Sequence, residues 1–351
     1  MARLGPRIPV VMHNVEPLST PSHSWFRRIV RGVLLVVLVL AAAGMIYENI
    51  FEARDRRFNP MPGKLVDVGG YKMHIDCAGE GSPTVVLDSG LGDTYVSWRK
   101  VQPQIAKFTR VCSYDRAGIG YSDSSSQPRT SKVMAGELHG LLQAAGIAPP
   151  YILVGHSMGG YNVRLYASLY RSDVAGMVLV DASHPDQENR LPQELKKMEG
   201  SWQREVEFLE YTMPFGVPRL IGMCDDEPGQ RAAECNWHSV REVVAELKSF
   251  PESATQTAAT GSLGDMPLAV LSHDPEKPSA ELPADLAKST NDAWEKMQEE
   301  LAHLSTRGTQ VIAKNSLHYI QIDRPDVVID AVRGVVDQAR AVQPALPSHS
   351  N

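Results

Sequence analysis

Nothing in this 351-residue chain has the spacing of a metal site. Its four cysteines, Cys77, Cys112, Cys224 and Cys235, form no CxxC pair, and none lies in a histidine-rich cluster, which argues against zinc. Also lacking is a basic cluster in the part expected to fold. With a formal net charge of -6, the chain has no electrostatic footprint for nucleic acid. No low-complexity tract and no internal repeat is found. What remains is a globular composition long enough for one large domain or two small ones. An even cysteine count permits two disulfides if the protein is exported and four buried thiols if it is not.

One stretch lacks charge altogether. Gly32 to Tyr47 reads GVLLVVLVLAAAGMIY. With Ile29, Val30 and Arg31 added, a helix would extend about 29 Å, close to the thickness of a bilayer core. Arg3, Arg7, Arg27 and Arg28 precede the run, which favours a cytoplasmic N-terminus. Arg54, Arg56 and Arg57 follow it, mixed with Glu48, Glu52 and Asp55. The expected organisation is a cytoplasmic tail over 1–28, a transmembrane anchor over 29–50, a linker over 51–64, a folded domain over 65–342 and a tail over 343–351. Two alternatives are a signal peptide cleaved at Ala41-Ala42-Ala43, whose charged region would be unusually long, and a core helix. Anchor and signal peptide both put the folded domain outside the cytoplasm.

The stretch that organises the rest is Tyr151 to Tyr161, YILVGHSMGGY. Its apolar opening reads as a buried parallel strand. Gly155-His156-Ser157-Met158-Gly159 follows, and then a helix-period segment, Asn162 to Tyr170. Strand, tight glycine-flanked turn and helix form the context in which a G-x-S-x-G serine is held out as a nucleophile. The helix beside it offers a positive dipole end and a free N–H for an oxyanion.

This stretch resembles the nucleophile elbow of serine hydrolases with the α/β-hydrolase fold. Three other stretches carry the likeness: Val85 to Gly92 (VVLDSGLG), Ser113 to Ser122 (SYDRAGIGYS) and Leu317 to Ile320 (LHYI). Together they extend it over about residues 64–341. The resemblance implies a mostly parallel central sheet with helices on both faces and a helical cap inserted between two late strands. The order of elements agrees. A hairpin, Leu65–Val68 and Tyr71–Asp76, opens the domain. Apolar strands at Pro83–Asp88, Thr109–Tyr114, Tyr151–Val154 and Val174–Asp181 alternate with helical segments. Residues 184–266 break the alternation and read as the cap. Trp202, Phe208, Tyr211, Met213 and Phe215 would give it an apolar inner surface suited to an acyl or alkyl group. Pro267–Ser272 and Thr309–Ala313 then complete the sheet.

In this family the triad follows the chain order serine, acid, histidine. Ser157 is the expected nucleophile, and His318, five residues past the last strand, the expected base. The acid is open among three residues. Asp274, nearer the end of its strand than Glu276, is preferred, with Glu276 and Asp181, at the end of the preceding strand, as alternatives. His156 would shape the pocket, and Asp115-Arg116 would support the site wall without taking part in chemistry. Relatives carry His-Gly where this chain has Ser89-Gly90. The retained glycine suggests Leu91 N–H as oxyanion donor beside Met158 N–H.

The implied chemistry is acyl transfer to water from a small apolar ester or acyl substrate, with no metal and no organic cofactor. Relatives that open epoxides or remove halide use aspartate as nucleophile, so Ser157 argues against both. An aminopeptidase or amidase would want acidic residues in the cap, and Asp225-Asp226-Glu227 offers them, although a solvated loop explains them as well. A non-catalytic binding protein of this fold is the third reading. If the domain is exported, Cys224 and Cys235 can bridge across the polar loop between them. Cys77 and Cys112 can pair because the fold makes their strands neighbours.

Overall fold

A computed structural model of the chain describes residues 24–224, 228–277 and 282–342. The chain divides into two units at Ala43/Gly44. In the first unit the described residues are helical and largely exposed. They belong to helix α1 (Ser24–Phe58). Among the described residues this is the one helix long and apolar enough to cross a membrane, with a mean hydropathy of 2.6 in its most apolar window.

The expected linker over 51–64 is corrected. Its first eight residues continue α1 to Phe58. In the second unit this end of the helix packs on the cap: Arg219 Nε lies 3.0 Å from Glu48 Oε2, and Arg219 Nη1 lies 2.6 Å from Asp55 Oδ2. Charge periodicity explains the difference. Glu48 and Asp55 stand seven residues apart, on one face of the helix, and an arginine reaches both. The expected 1–28 tail lies mostly outside the described residues, and so does the 343–351 tail.

Eight strands form one sheet in the order β1-β2-β4-β3-β5-β6-β7-β8. They are β1 (Lys64–Asp67), β2 (Lys72–Ala78), β3 (Thr84–Asp88), β4 (Val111–Tyr114), β5 (Tyr151–His156), β6 (Val174–Val180), β7 (Leu268–His273) and β8 (Gly308–Ala313). β2 runs antiparallel to β1 and β4, and every other pair is parallel. The mostly parallel sheet of an α/β-hydrolase fold is therefore present.

Side-chain alternation explains the layers. Successive residues of a strand face opposite sides. Leu153 of β5 and Met177 and Leu179 of β6 enter one core, while Ile152, Val154, Val178 and Val180 enter the other. Both faces are apolar, so both must be covered by helices. Helices α2 (Gln102–Ile105) and α12 (Pro325–Val342) cover the second core. Helices α3 (Ser131–Ala144) and α4 (Gly159–Leu169) cover the first. Between β6 and β7 come α5 (Gln187–Arg190), α6 (Gln193–Thr212), α7 (Val217–Leu220), α8 (Pro228–Glu234) and α9 (Trp237–Ala258). After β7 come α10 (Ala284–Ala302) and, beyond β8, α11 (Ile320–Asp323).

The expected apolar inner surface of the cap is corrected. Met213 is buried, but Trp202, Phe208, Tyr211 and Phe215 are exposed, Tyr211 by 74%. Neither the spacing of Trp202, Phe208 and Tyr211 on α6 nor the turn that carries Phe215 gathers them toward a closed interior. Asp225, Asp226 and Glu227 lie outside the described residues. Disulfides join Cys77 to Cys112 and Cys224 to Cys235, and the first pair are register partners on β2 and β4.

Candidate active site

Ser157 follows β5 with φ +51°, a left-handed conformation rare for a residue with a side chain. Two glycines make the turn possible. A Cβ on Gly155 would stand 2.5 Å from Gly159 O, and one on Gly159 would stand 2.5 Å from Asp88 O. The turn is tied to the neighbouring strand: Ser157 N donates to Val180 O at 3.2 Å, and Ser183 N donates to Ser157 O at 3.0 Å. These two bonds bracket Asp181. Buried Met158 caps the start of α4. Neither its N–H nor that of Leu91 donates to another described residue.

Asp181 is the partner of His318. The His318 Nδ1 atom lies 2.6 Å from Asp181 Oδ2. The aspartate is fully buried, while the histidine is 41% exposed. The preference for Asp274 is therefore corrected. The Asp274 carboxylate receives Asn315 N at 2.9 Å, Lys314 Nζ at 3.1 Å and Glu276 N at 3.2 Å. It orders the turn after β8 instead of the imidazole. Glu276 pairs with Lys314 at 3.0 Å on the surface. The deciding feature is Asp181's own backbone. With φ +43° just past the end of β6, it turns sharply out of the strand beside Ser157, which strand length and polarity alone do not reveal.

Other donors converge on Asp181: His273 Nδ1 at 2.9 and 3.0 Å, His273 N at 3.1 Å and Trp294 Nε1 at 2.8 Å. Burial by itself would push this carboxyl up. The charge and hydrogen bond of His273, with the bond from His318, outweigh it and hold the group far below the usual carboxylate range.

The loop carrying His318 is fastened near the serine. His156, the residue before Ser157, places Nε2 3.1 Å from His318 O, and the two rings stand 4.7 Å apart. Burial keeps His156 below the ordinary histidine range, consistent with a neutral ring that donates to a carbonyl. Tyr319 reaches across to the loop after β3, its hydroxyl donating to Asp93 Oδ1 at 3.2 Å.

That loop supplies the Leu91 amide, and Arg116 braces it. The guanidinium donates to Ser89 O at 2.8 Å, Gly90 O at 2.6 Å and Asp88 Oδ1 at 3.1 Å, and to both carboxylate oxygens of Glu246 on α9. Glu246 Oε2 also receives Gly92 N at 3.1 Å. Ser89 accepts Trp98 Nε1 at 2.9 Å and donates to Thr94 O at 2.9 Å, so a hydroxyl fixes the strand end here. Glu246, His273 and Trp294 escaped the sequence reading. A buried arginine needs carboxylates, and that requirement was the one available signal for Glu246.

Among the described residues no cluster of histidine, cysteine and carboxylate is arranged to hold a metal. The family model for the alpha/beta hydrolase fold matches residues 83–210. The uncharacterized protein YqjL of Bacillus subtilis is 30% identical over 277 residues, covering 78% of this chain and 91% of that protein. Among solved structures, the haloalkane dehalogenase variant DbeA-M1 from Bradyrhizobium elkanii superposes with a TM-score of 0.61 at 18% identity, covering 79% of this chain and 97% of the other. A thermophilic esterase from Thermogutta terrifontis gives 0.55 at 21% identity, covering 79% and 98%. At these identities the solved structures speak to the fold alone. Sheet order, the strained elbow serine, the family model and the near full-length similarity to YqjL agree that this chain belongs to the α/β-hydrolase fold family.

Proposed function

We propose that the protein is a serine hydrolase that cleaves a carboxylic ester or related acyl bond, with Ser157 as nucleophile, His318 as base and Asp181 as acid. The observation that carries this reading is the 2.6 Å bond from His318 Nδ1 to buried Asp181, made where Asp181 is bracketed by the backbone bonds of Ser157. Bonded in this way, Nδ1 keeps its proton and Nε2 is left as the basic atom. His318 Nε2 takes the proton of Ser157 Oγ as the oxygen attacks the carbonyl carbon. The carbonyl oxygen becomes an oxyanion, bound by the N–H groups of Leu91 and Met158. Collapse expels the alcohol, which receives the proton from His318. Water, deprotonated by the same nitrogen, then releases the acid and restores Ser157.

The apolar helix supports a single-pass anchor, and the two disulfides support an oxidising compartment for the catalytic body. An apolar acyl substrate remains part of the proposal, although the cap aromatics do not supply a closed lining for it. A fluorophosphonate probe on the full chain in detergent tests the assignment, together with a panel of esters and aminoacyl amides. The expected result is labelling of the wild type, none of Ser157→Ala, and turnover of esters. An unlabelled wild-type protein would reject the serine mechanism, and preference for aminoacyl amides would favour an amidase.

A further inference from the structure

Two histidines converge on one buried carboxylate. His273, the last residue of β7, places Nδ1 2.9 and 3.0 Å from the oxygens of Asp181. Its other ring nitrogen, Nε2, lies 3.2 Å from Asn291 Oδ1 on α10. The orientation of that amide is fixed, because Asn291 Nδ2 donates to Pro275 O at 2.9 Å. Both ring nitrogens of His273 thus face oxygens that can only accept. A neutral imidazole has one N–H and would set a lone pair against one of those oxygens. An imidazolium satisfies both.

We propose that His273 is a positioning residue held as an imidazolium on the far side of Asp181, and that its charge tunes His318 as base. This rests on the triad reading of Ser157, His318 and Asp181. The groups that face His273 are Asp181 at the end of β6, Asn291 and Trp294 on α10, its chain neighbour Asp274, and His318 across the shared carboxylate. Glu295 stands on the rim of the same small cavity. The ring is 16% exposed. Burial opposes its charge, but the charge and bond of Asp181 and the bond to Asn291 outweigh that and raise it to about 9.

The consequence for catalysis follows from sharing. In a simple triad one carboxylate charge stabilises one imidazolium. Here Asp181 Oδ2 already serves the His273 cation when His318 takes the serine proton. His318 therefore gains its proton against a nearby positive charge. His318 thereby holds that proton less tightly. It also surrenders its proton more readily to the leaving alcohol. Trp294 Nε1 and His273 N hold the other oxygen, so the carboxylate cannot rotate away from either ring.

Two measurements on the full chain in detergent test this. The first is the pH profile of kcat/KM for a soluble ester in the wild type, His273→Gln and Asn291→Leu. The acid limb should move to higher pH by about one unit in His273→Gln, a roughly tenfold loss at a pH on that limb. Asn291→Leu leaves the ring in place and removes one acceptor, and the limb should shift the same way by less. A uniform loss at every pH with no shift of the limb would mean a merely structural role and overturn the proposal.

The second is NMR of labelled histidine rings in Ser157→Ala, with Asn291→Leu added for assignment. His273 should still be doubly protonated at pH 8. Titration near the ordinary histidine value of about 6.5 would overturn the proposal. This readout needs no activity. A wild type without ester turnover would reject the triad reading, while the ring titration would still decide the charge of His273.

Discussion

The carboxylate of Glu246, on cap helix α9, grips the guanidinium of Arg116 at 2.6 Å, with both side chains almost wholly removed from solvent. Through that pair the cap reaches the loop that carries the Leu91 amide, since Arg116 also holds Ser89 O and Gly90 O and Glu246 holds Gly92 N. Cap placement and the geometry of the loop carrying the Leu91 amide are thus one hydrogen-bonded unit.

Glu246→Ala should therefore cost both stability and rate. Removing one partner of a buried ion pair leaves a charge without compensation, typically about 3–5 kcal/mol, softened here because Arg116 retains Asp88. Urea unfolding gives the stability term. A fall in kcat for an ester, with the melt corrected for, gives the geometric term. A variant as stable and as fast as the wild type would show that the unit is dispensable.

The strain at Ser157 predicts an opposite effect. Glycine tolerates φ +51° without the penalty of roughly 1–2 kcal/mol that a side chain incurs there. Ser157→Gly should abolish probe labelling and ester turnover, on the order of 10⁴-fold or more, and yet raise stability by about 1 kcal/mol. Thermal melts of Ser157→Gly and Ser157→Ala side by side separate strain relief from loss of the hydroxyl, because alanine keeps the strain.

Substitution of the two aspartates should separate their roles. Asp181→Asn should lower kcat by about 10³- to 10⁴-fold, the scale of losing the tautomer-fixing acid. Asp274→Asn should leave turnover close to the wild type. The Asp181 carboxyl is held down in the folded protein. Its contribution to stability is therefore present above the unfolded carboxylate pKa of about 3.9 and is lost as pH falls through the lower folded value. Acid titration of stability in Asp181→Asn should accordingly be flatter than in the wild type.

The end of α1 carries the last prediction. Removing residues 1–43 should free the protein from a carbonate-washed membrane pellet and leave ester turnover in solution. Removing residues 1–58 also takes Glu48 and Asp55 away from Arg219. That product should show faster proteolysis within residues 193–234 than the shorter truncation. Equal cleavage of the two would show that the helix end does not hold the cap.

Motif and periodicity made most of the fold and part of the site legible. The apolar strands, the elbow around Ser157 and the histidine after β8 are local signals, readable because each depends on residues adjacent in the chain. The partner of His318 was not, because three carboxylates stood at the ends of the two relevant strands and only tertiary geometry distinguishes them. Asp181 wins by a left-handed turn. Asp274 was misleading because its neighbours Lys314 and Asn315, forty residues away, claim it first. His273 was invisible for a related reason. A histidine ending a strand says nothing of the asparagine on α10 that orients it. The α1 extension is hidden because Pro60, Pro62 and Gly63 have the composition of a linker, while the helix ends only just before them.

The bonds from Ser157 to Val180 and Ser183 make the positions of Ser157 and Asp181 products of one strand pair, β5 and β6, while His318 arrives from beyond β8. Chains are built from the N-terminus, and domains assemble as their segments emerge. Under the proposed roles, a chain synthesised only as far as β6 carries its serine and acid without the base that would activate them. Reactivity toward acyl bonds would then be withheld until the final edge strand docks, so the polypeptide would cross or enter a membrane as an inert chain.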